Sequence, residues 1–262
     1  MAHASRTAFG RESAAQAVEP VAAVENPQGR SPILLICEHA SNHLPARYGT
    51  LGLGPAELES HIAWDPGALG VAKELSRLLD APLIHATVSR LVLDLNREPS
   101  APDSIWTLSE HTTIPGNLDL DESERAARVR EVYDPFHNAI DAFADAREAE
   151  GQLAAIVSIH SFTPVYRSVP RPWQIGLIFD RDERFARSVE AGLKQDPALV
   201  VGMNEPYSPA DRVFHTLERH AERRGLPPLM IEIRNDLIRT EDEQALWARR
   251  LAPLLREGAR TL

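Results

Sequence analysis

Residues 31–42 read SPILLICEHASN, a run of apolar side chains that stops abruptly at Glu38, His39, Ser41 and Asn42. A strand covered on both faces reads as a continuous apolar run rather than an alternation, so this stretch predicts a buried parallel strand. Its polar cluster falls at the carboxyl end, where open α/β sheets bind ligands. Two other stretches repeat the pattern. LAAIVSIHSF, residues 153–162, ends on His160 and Ser161, and LMIEI, residues 229–233, carries Glu232 in an apolar setting.

Helical periods alternate with these strands. Asp65 and Pro66 precede apolar Leu69, Val71, Ala72, Leu75, Leu78 and Leu79, a spacing that predicts a helix with Asp65 as its N-cap and proline first inside it. Residues 82–86 and 91–95 read as strands, the second closing on Asp94, Asn96 and Arg97. Residues 100–120 hold Pro102, Pro115 and Gly116 without periodicity and read as a surface excursion beside a site. A helix is expected over 121–149, capped by Asp121 or Ser123 and kinked at Pro135. Strands at 174–179 and 199–202 follow, with helices at 183–195 and 214–224, the second ended by Gly225. The last helix, 240–256, opens on a Thr240–Glu243 capping box. The alternation predicts an α/β sheet with helices on both faces, in a single domain from 29 to 262. Residues 1–28, rich in Ala, Ser, Glu and Pro and without a secretory h-region, read as a mobile tail.

Over 262 residues, 43% are hydrophobic and 25% charged, the balance of a globular chain with a full core. A net charge of −10 argues against a nucleic-acid phosphate track, which needs clustered Lys and Arg. No run of eighteen apolar residues offers a membrane span, and the sole cysteine, Cys37, fits a reducing, cytoplasmic setting. Cys37 itself reads as a small buried hydrophobe. An acidic chain can still take an anionic small molecule where arginines line the pocket, because bidentate contacts outweigh a screened background.

His39 and His160, both at strand ends with acidic residues at similar sheet positions, form a candidate zinc site; the plainer reading is a pair of hydrogen-bonded structural histidines. No G-x-S-x-G elbow, H-E-x-x-H or P-loop occurs. His215 and Glu218 read as a solvated helix face. Glu232 is costly to bury unless it is paired, metal-bound or protonated; it is either a general base or acid, or the partner of a neighbouring arginine such as Arg234.

CEHASNHLP, HIAWDPGA, RLVLDLNREP, IHSF, NEPYS, TLERHAERRGLP and IEIRNDLI, in this order between about residue 31 and 255, resemble the N-formylglutamate amidohydrolase family. The resemblance implies a three-layer α/β/α fold with a central mixed sheet, like that of zinc carboxypeptidases and aspartoacylase. It implies a zinc-dependent hydrolase of N-formyl-L-glutamate or a related anionic N-acyl amino acid. His39 and His160 then correspond to metal ligands. Carboxypeptidase-like sites add a glutamate three residues after the first histidine, but Asn42 stands there, so Asp65 is the preferred third ligand and Glu38 the second choice. By the same resemblance Asn96 and Arg97 hold the substrate carboxylate, Glu232 activates water, and Tyr207, His220 and Arg234 complete the pocket. Two other readings stay open: a non-catalytic pocket for an acidic amino-acid derivative, and a zinc hydrolase of another small N-acyl amino acid or peptide.

Overall fold

A computed structural model describes residues 20–262. Seven strands form one mixed sheet: β1 (Ala22–Glu25), β2 (Ile33–Cys37), β3 (Leu83–Ala86), β4 (Ala155–Phe162), β5 (Ile175–Ile178), β6 (Val201–Met203) and β7 (Pro228–Arg234), in the order β1-β3-β2-β4-β7-β5-β6. The four central strands β3, β2, β4 and β7 run parallel; β1 lies antiparallel on β3, and β5 antiparallel on β7. Seven α-helices accompany them: α1 (Pro55–Glu59), α2 (Ala68–Leu79), α3 (Glu122–Arg128), α4 (Asp134–Ala149), α5 (Arg184–Leu193), α6 (His215–His220) and α7 (Glu241–Arg260).

Strand side chains alternate between faces, and the two faces of β2 feed different cores. Ile33, Leu35 and Cys37 pack with Val71 and Leu75 of α2, Phe185 of α5 and Leu251 of α7. Leu34 and Ile36 pack with Phe136 and Ile140 of α4 and Leu217 of α6. The result is three layers, and it explains why β2 carries no polar residue until its end. Cys37 is buried and unpaired, as expected. Among the described residues no helix is long and apolar enough to cross a membrane.

Several expectations need correction. The segment expected to be a mobile tail to residue 28 instead supplies β1, paired from Ala22–Ala86 to Glu25–Leu83. The Arg147 guanidinium then donates to the carbonyls of Gly29 and Ser31; the first nineteen residues of that expected tail lie outside the described residues. The helix expected over 121–149 is two: α3, capped by Asp121, and α4, joined by a π-helical turn at Val129–Tyr133 just before Pro135, which has no N–H to give to the preceding turn. Residues 100–120 include a short hairpin, Leu108–Ser109 with Thr112–Thr113.

Residues 91–95 are not a strand. They belong to a buried loop whose backbone groups are satisfied by side chains from elsewhere. Asn117 Nδ2 donates to Leu91 O at 2.8 Å, Arg128 Nη1 to Val92 O at 2.9 Å, and His137 Nε2 lies 2.9 Å from Leu95 O. This loop carries Arg90, Asp94, Asn96 and Arg97 to the carboxyl end of the sheet.

Asp65 does not cap α2. The helix starts at Ala68 after Gly67, whose φ of +83° and whose closeness to Ile238 O, 2.2 Å from where a Cβ would stand, leave room for glycine alone. The Asp65 carboxylate is thereby left for other partners.

Candidate metal centre and active-site cleft

Along one face of β4 and β7, apolar side chains give way to polar ones toward the carboxyl end: Ile156, Ser158, His160 on β4, and Met230, Glu232 on β7. Glu232 stands opposite His160 in the parallel register. Glu38 and His39 follow β2 directly, and Asp65 is brought to them by its own N–H, which donates to His39 O at 2.9 Å.

The His39 and His160 rings meet with centroids 4.9 Å apart, and both Nδ1 atoms face Asp65 Oδ2, at 3.4 and 2.8 Å. His39 Nε2 lies 2.7 Å from Asp94 Oδ1, and His160 Nε2 stands 3.1 Å from Glu38 Oε2, which accepts from Ser158 Oγ at 2.6 Å. The buried Nδ1 of His39 and Nε2 of His160 have no hydrogen-bond partner. His39, Asp65 and His160 offer one donor atom each within 4.8 Å of one another. Two imidazole nitrogens and a carboxylate oxygen, with a carboxylate behind each ring, are the donor set and outer support of a zinc-type site, so these residues fit a divalent metal. Glu38, the second choice for third ligand, lies behind His160; Asp65 is the carboxylate shared by both rings.

Burial pushes every carboxylate here upward, and what faces each one decides the outcome. For Glu38 the charge of His160 and the hydrogen bonds from His160 and Ser158 outweigh burial and hold it at about 2. Asp94, although buried, is held well below its ordinary range by Arg90 and His39, and Asp65 is lowered by the two rings. Glu232 is the exception: burial, with Asp65 adding to it, lifts it to about 7 against the pull of His160, and its Oε2 has no partner. A carboxyl poised there can take up or release a proton near neutrality.

His39, Asp65, His160, Asn96, Arg97, Tyr207 and Glu232 line one cleft. Arg97 Nη1 donates to Arg212 O and its Nε faces Asp103, while its Nη2 makes no hydrogen bond to any described residue. The Asn96 amide is spent within the chain, donating to Val213 O and accepting from Thr216 N at 3.0 Å. His220 and Arg234 are not brought to the cleft. His220 is buried between α6 and α4 against His137 and Asp141, and the Arg234 guanidinium turns to Asp236 at 2.7 Å, so it does not pair with Glu232 either. His215, expected on a solvated face, is half-buried with its Nε2 2.6 Å from Tyr133 Oη, while Glu218 is exposed.

Cleft residues that the sequence reading passed over include Arg90, His61, Trp106 and Tyr166. Arg90 lies six residues before Asn96 and spans both acids, with Nη1 3.3 Å from Asp65 and Nη2 on Asp94. Its isolated charge in a run of apolar residues was the available signal.

The family model of N-formylglutamate amidohydrolase matches residues 31–239, from just before β2 to just short of α7. The chain belongs to the N-formylglutamate amidohydrolase family. Accordingly it is a hydrolase acting on an amide bond. A solved structure of a gene product from Agrobacterium tumefaciens is similar over 94% of this chain and 97% of that one, at 46% identity and a TM-score of 0.91. An N-formylglutamate amidohydrolase from Ralstonia eutropha shares the fold, with 21% identity, a TM-score of 0.68 and coverage of 93% and 98%. A comparison with curated proteins gives no match. In this member of the amidohydrolase family, the two histidines and Glu232 fall inside the matched span, as do Asn96 and Arg97.

Proposed function

We propose that the protein hydrolyses N-formyl-L-glutamate or a closely related N-acyl amino acid with a divalent metal, zinc, held by His39 Nδ1, His160 Nδ1 and Asp65 Oδ2. The observation that carries this reading is the convergence of both Nδ1 atoms on one carboxylate oxygen, with the His39 Nδ1 lone pair unspent and Glu232 beside it. When bound, the ion supplies Lewis acidity, bringing the ionisation of water from about 16 toward about 7.

The chain's own residues do the rest. Glu232 accepts the proton of the attacking water and returns it to the amine nitrogen as the C–N bond breaks, the two-way task suited to a carboxyl near 7. Arg97 presents Nη2 to the substrate carboxylate, and Asn96 braces the backbone on which Arg97 sits. Arg90, held by Asp65 and Asp94, places a fixed cation on the cleft wall for the charge that develops on the carbonyl oxygen. The products are the free amino acid and formate, or the corresponding carboxylate.

Elemental analysis of the purified protein, followed by a panel of N-formyl and N-acetyl amino acids scored for released amine, tests this. Stoichiometric zinc with fastest turnover of an N-formyl acidic amino acid is the expected result. Tight binding of the panel without turnover would establish the non-catalytic pocket, and a preference for another acyl group or a small peptide would move the substrate within the same chemistry.

A further inference from the structure

Arg171 follows a short hairpin, Val165–Tyr166 with Val169–Pro170, and its own N–H closes the base of that hairpin on Pro164 O at 2.8 Å. The residue is 9% exposed, yet among the described residues no carboxylate pairs with its guanidinium. Rings and one hydroxyl face it instead. Its Cζ stands 4.7 Å from the ring centres of both Tyr166 and Tyr207 and 5.8 Å from that of Phe162, and its Nη1 donates to Tyr207 Oη at 3.0 Å. Phe162 ends the strand that carries His160, and Tyr166 and Tyr207 line the cleft with Arg171 behind them.

A guanidinium has donors only, so the direction of the bond to Tyr207 is fixed. Tyr207 Oη spends a lone pair on Arg171, and its own proton turns away from the approaching N–H. Among the described residues no acceptor takes that proton. A polar group held on one side and left without a partner on the other marks a place for an acceptor that arrives with the substrate. The surroundings show which one. Burial and the charge of Glu232 push the phenol up to about 12 against Arg171 and Arg90, so at neutral pH it keeps its proton and is a donor rather than a base. Glu232 and Arg90 belong to the end of the cleft where bonds change. Arg90 brings charge there, with Nη1 and Nη2 tied to Asp65 and Asp94; Tyr207 brings an O–H that is not tied.

We propose that Tyr207 is a further catalytic residue, donating its O–H to the acyl carbonyl oxygen as negative charge builds there, and that Arg171 is the positioning residue that turns this proton into the cleft and strengthens it as a donor. The proton stays on Tyr207 throughout. Both roles rest on the amidohydrolase reading given above.

Steady-state kinetics of the zinc-loaded protein test them, with zinc content and circular dichroism checked for each variant. Tyr207→Phe removes one oxygen and should lower kcat for N-formylglutamate about 10²–10³-fold with KM within about threefold. The same loss is expected with the α-amide of that substrate. A loss confined to the free carboxylate would put Tyr207 in the anion site and overturn the assignment, as would an unchanged kcat. With 3-fluorotyrosine and then 3,5-difluorotyrosine in place of Tyr207, each a more acidic phenol, kcat should rise stepwise; a flat series overturns the donor role even where Tyr207→Phe fails to fold. Arg171→Met keeps the hydroxyl but frees its proton and should lower kcat about tenfold, with Arg171→Lys recovering part of the loss. Added to Tyr207→Phe, Arg171→Met should move kcat by less than about twofold, because no proton is left to turn; losses that multiply overturn the positioning role. Absence of turnover by the wild type with any N-acyl substrate strikes the amidohydrolase reading and both roles with it, whereas turnover that Tyr207→Phe leaves intact strikes the roles alone.

Discussion

Among the described residues two clusters of imidazoles lie on the same face of the sheet, and they differ in what their buried nitrogens have left to give. In the cluster of His137, His215 and His220, the ring contacts stay within the protein, to Leu95 O, Asp141, Tyr133 and one another. In the cluster of His39 and His160, each ring has a carboxylate facing its Nε2 and turns Nδ1 to a shared oxygen, with His39 Nδ1 and His160 Nε2 left without a hydrogen bond. Buried polar atoms are nearly always satisfied, so an unspent one beside a convergent donor set marks a ligand position. Counting histidines would not separate the clusters; counting buried ring nitrogens without a hydrogen bond does.

Substitutions should break this contrast unevenly. His160→Ala is expected to abolish both metal content and turnover while circular dichroism stays native; a variant free of metal with full activity would remove the mechanism. Glu232→Gln should retain zinc and lose about 10²–10⁴ in kcat, the usual contribution of a positioned base, and an unchanged kcat places the base elsewhere. Asp94→Ala leaves the ligands in place but frees the His39 ring, so metal affinity measured by competition with a chelator should drop about 10–100-fold. Arg97→Ala should raise KM about tenfold or more for a carboxylate substrate and leave neutral amides nearly untouched; equal effects on both would reject the clamp role.

The last effect is one of stability in the metal-free protein, read without turnover. Glu38, held at about 2 against an ordinary 4.5, contributes stability that is complete above pH 4.5 and lost as pH falls toward 2, on the order of 3 kcal/mol in all. The same contact raises His160, whose share is complete below about 6.5 and lost as pH climbs past its raised value. Counted once, the pair places maximal stability of the metal-free protein between about pH 4.5 and 6.5; denaturant midpoints that rise steadily below pH 4 would contradict it.

How much of this could be read in the chain depended on whether the relevant partners were near in sequence. β2, β4 and β7 were legible because doubly covered strands must be apolar throughout, and their polar ends gave His39, His160 and Glu232. The capping box of α7 was legible because Thr240 and Glu243 are three residues apart. Residues 91–95 misled because an apolar buried loop and an apolar strand look alike; what separates them are Asn117, Arg128 and His137, far along the chain. Asp65 before proline resembled a cap, and the left-handed turn at Gly67 that frees it is visible only against Ile238. β1, a short edge strand in an Ala-rich stretch, has no pattern that distinguishes it from a tail. Asp94 was noticed as a polar group beside apolar residues, yet its role behind His39 needs the third dimension.

The cleft loop has one further consequence. Its N–H groups bond within the loop and its flank, Val92 to Ser89 O, Asp94 to Ser104 O and Arg97 to Asp94 O, while its carbonyls are held from outside by side chains of α3, α4 and the 115–117 turn. Detaching α4 would therefore free the Leu95 carbonyl and leave the local turns standing, so amide exchange in this loop should be faster than in the sheet beside it and slower than in the exposed 108–113 hairpin.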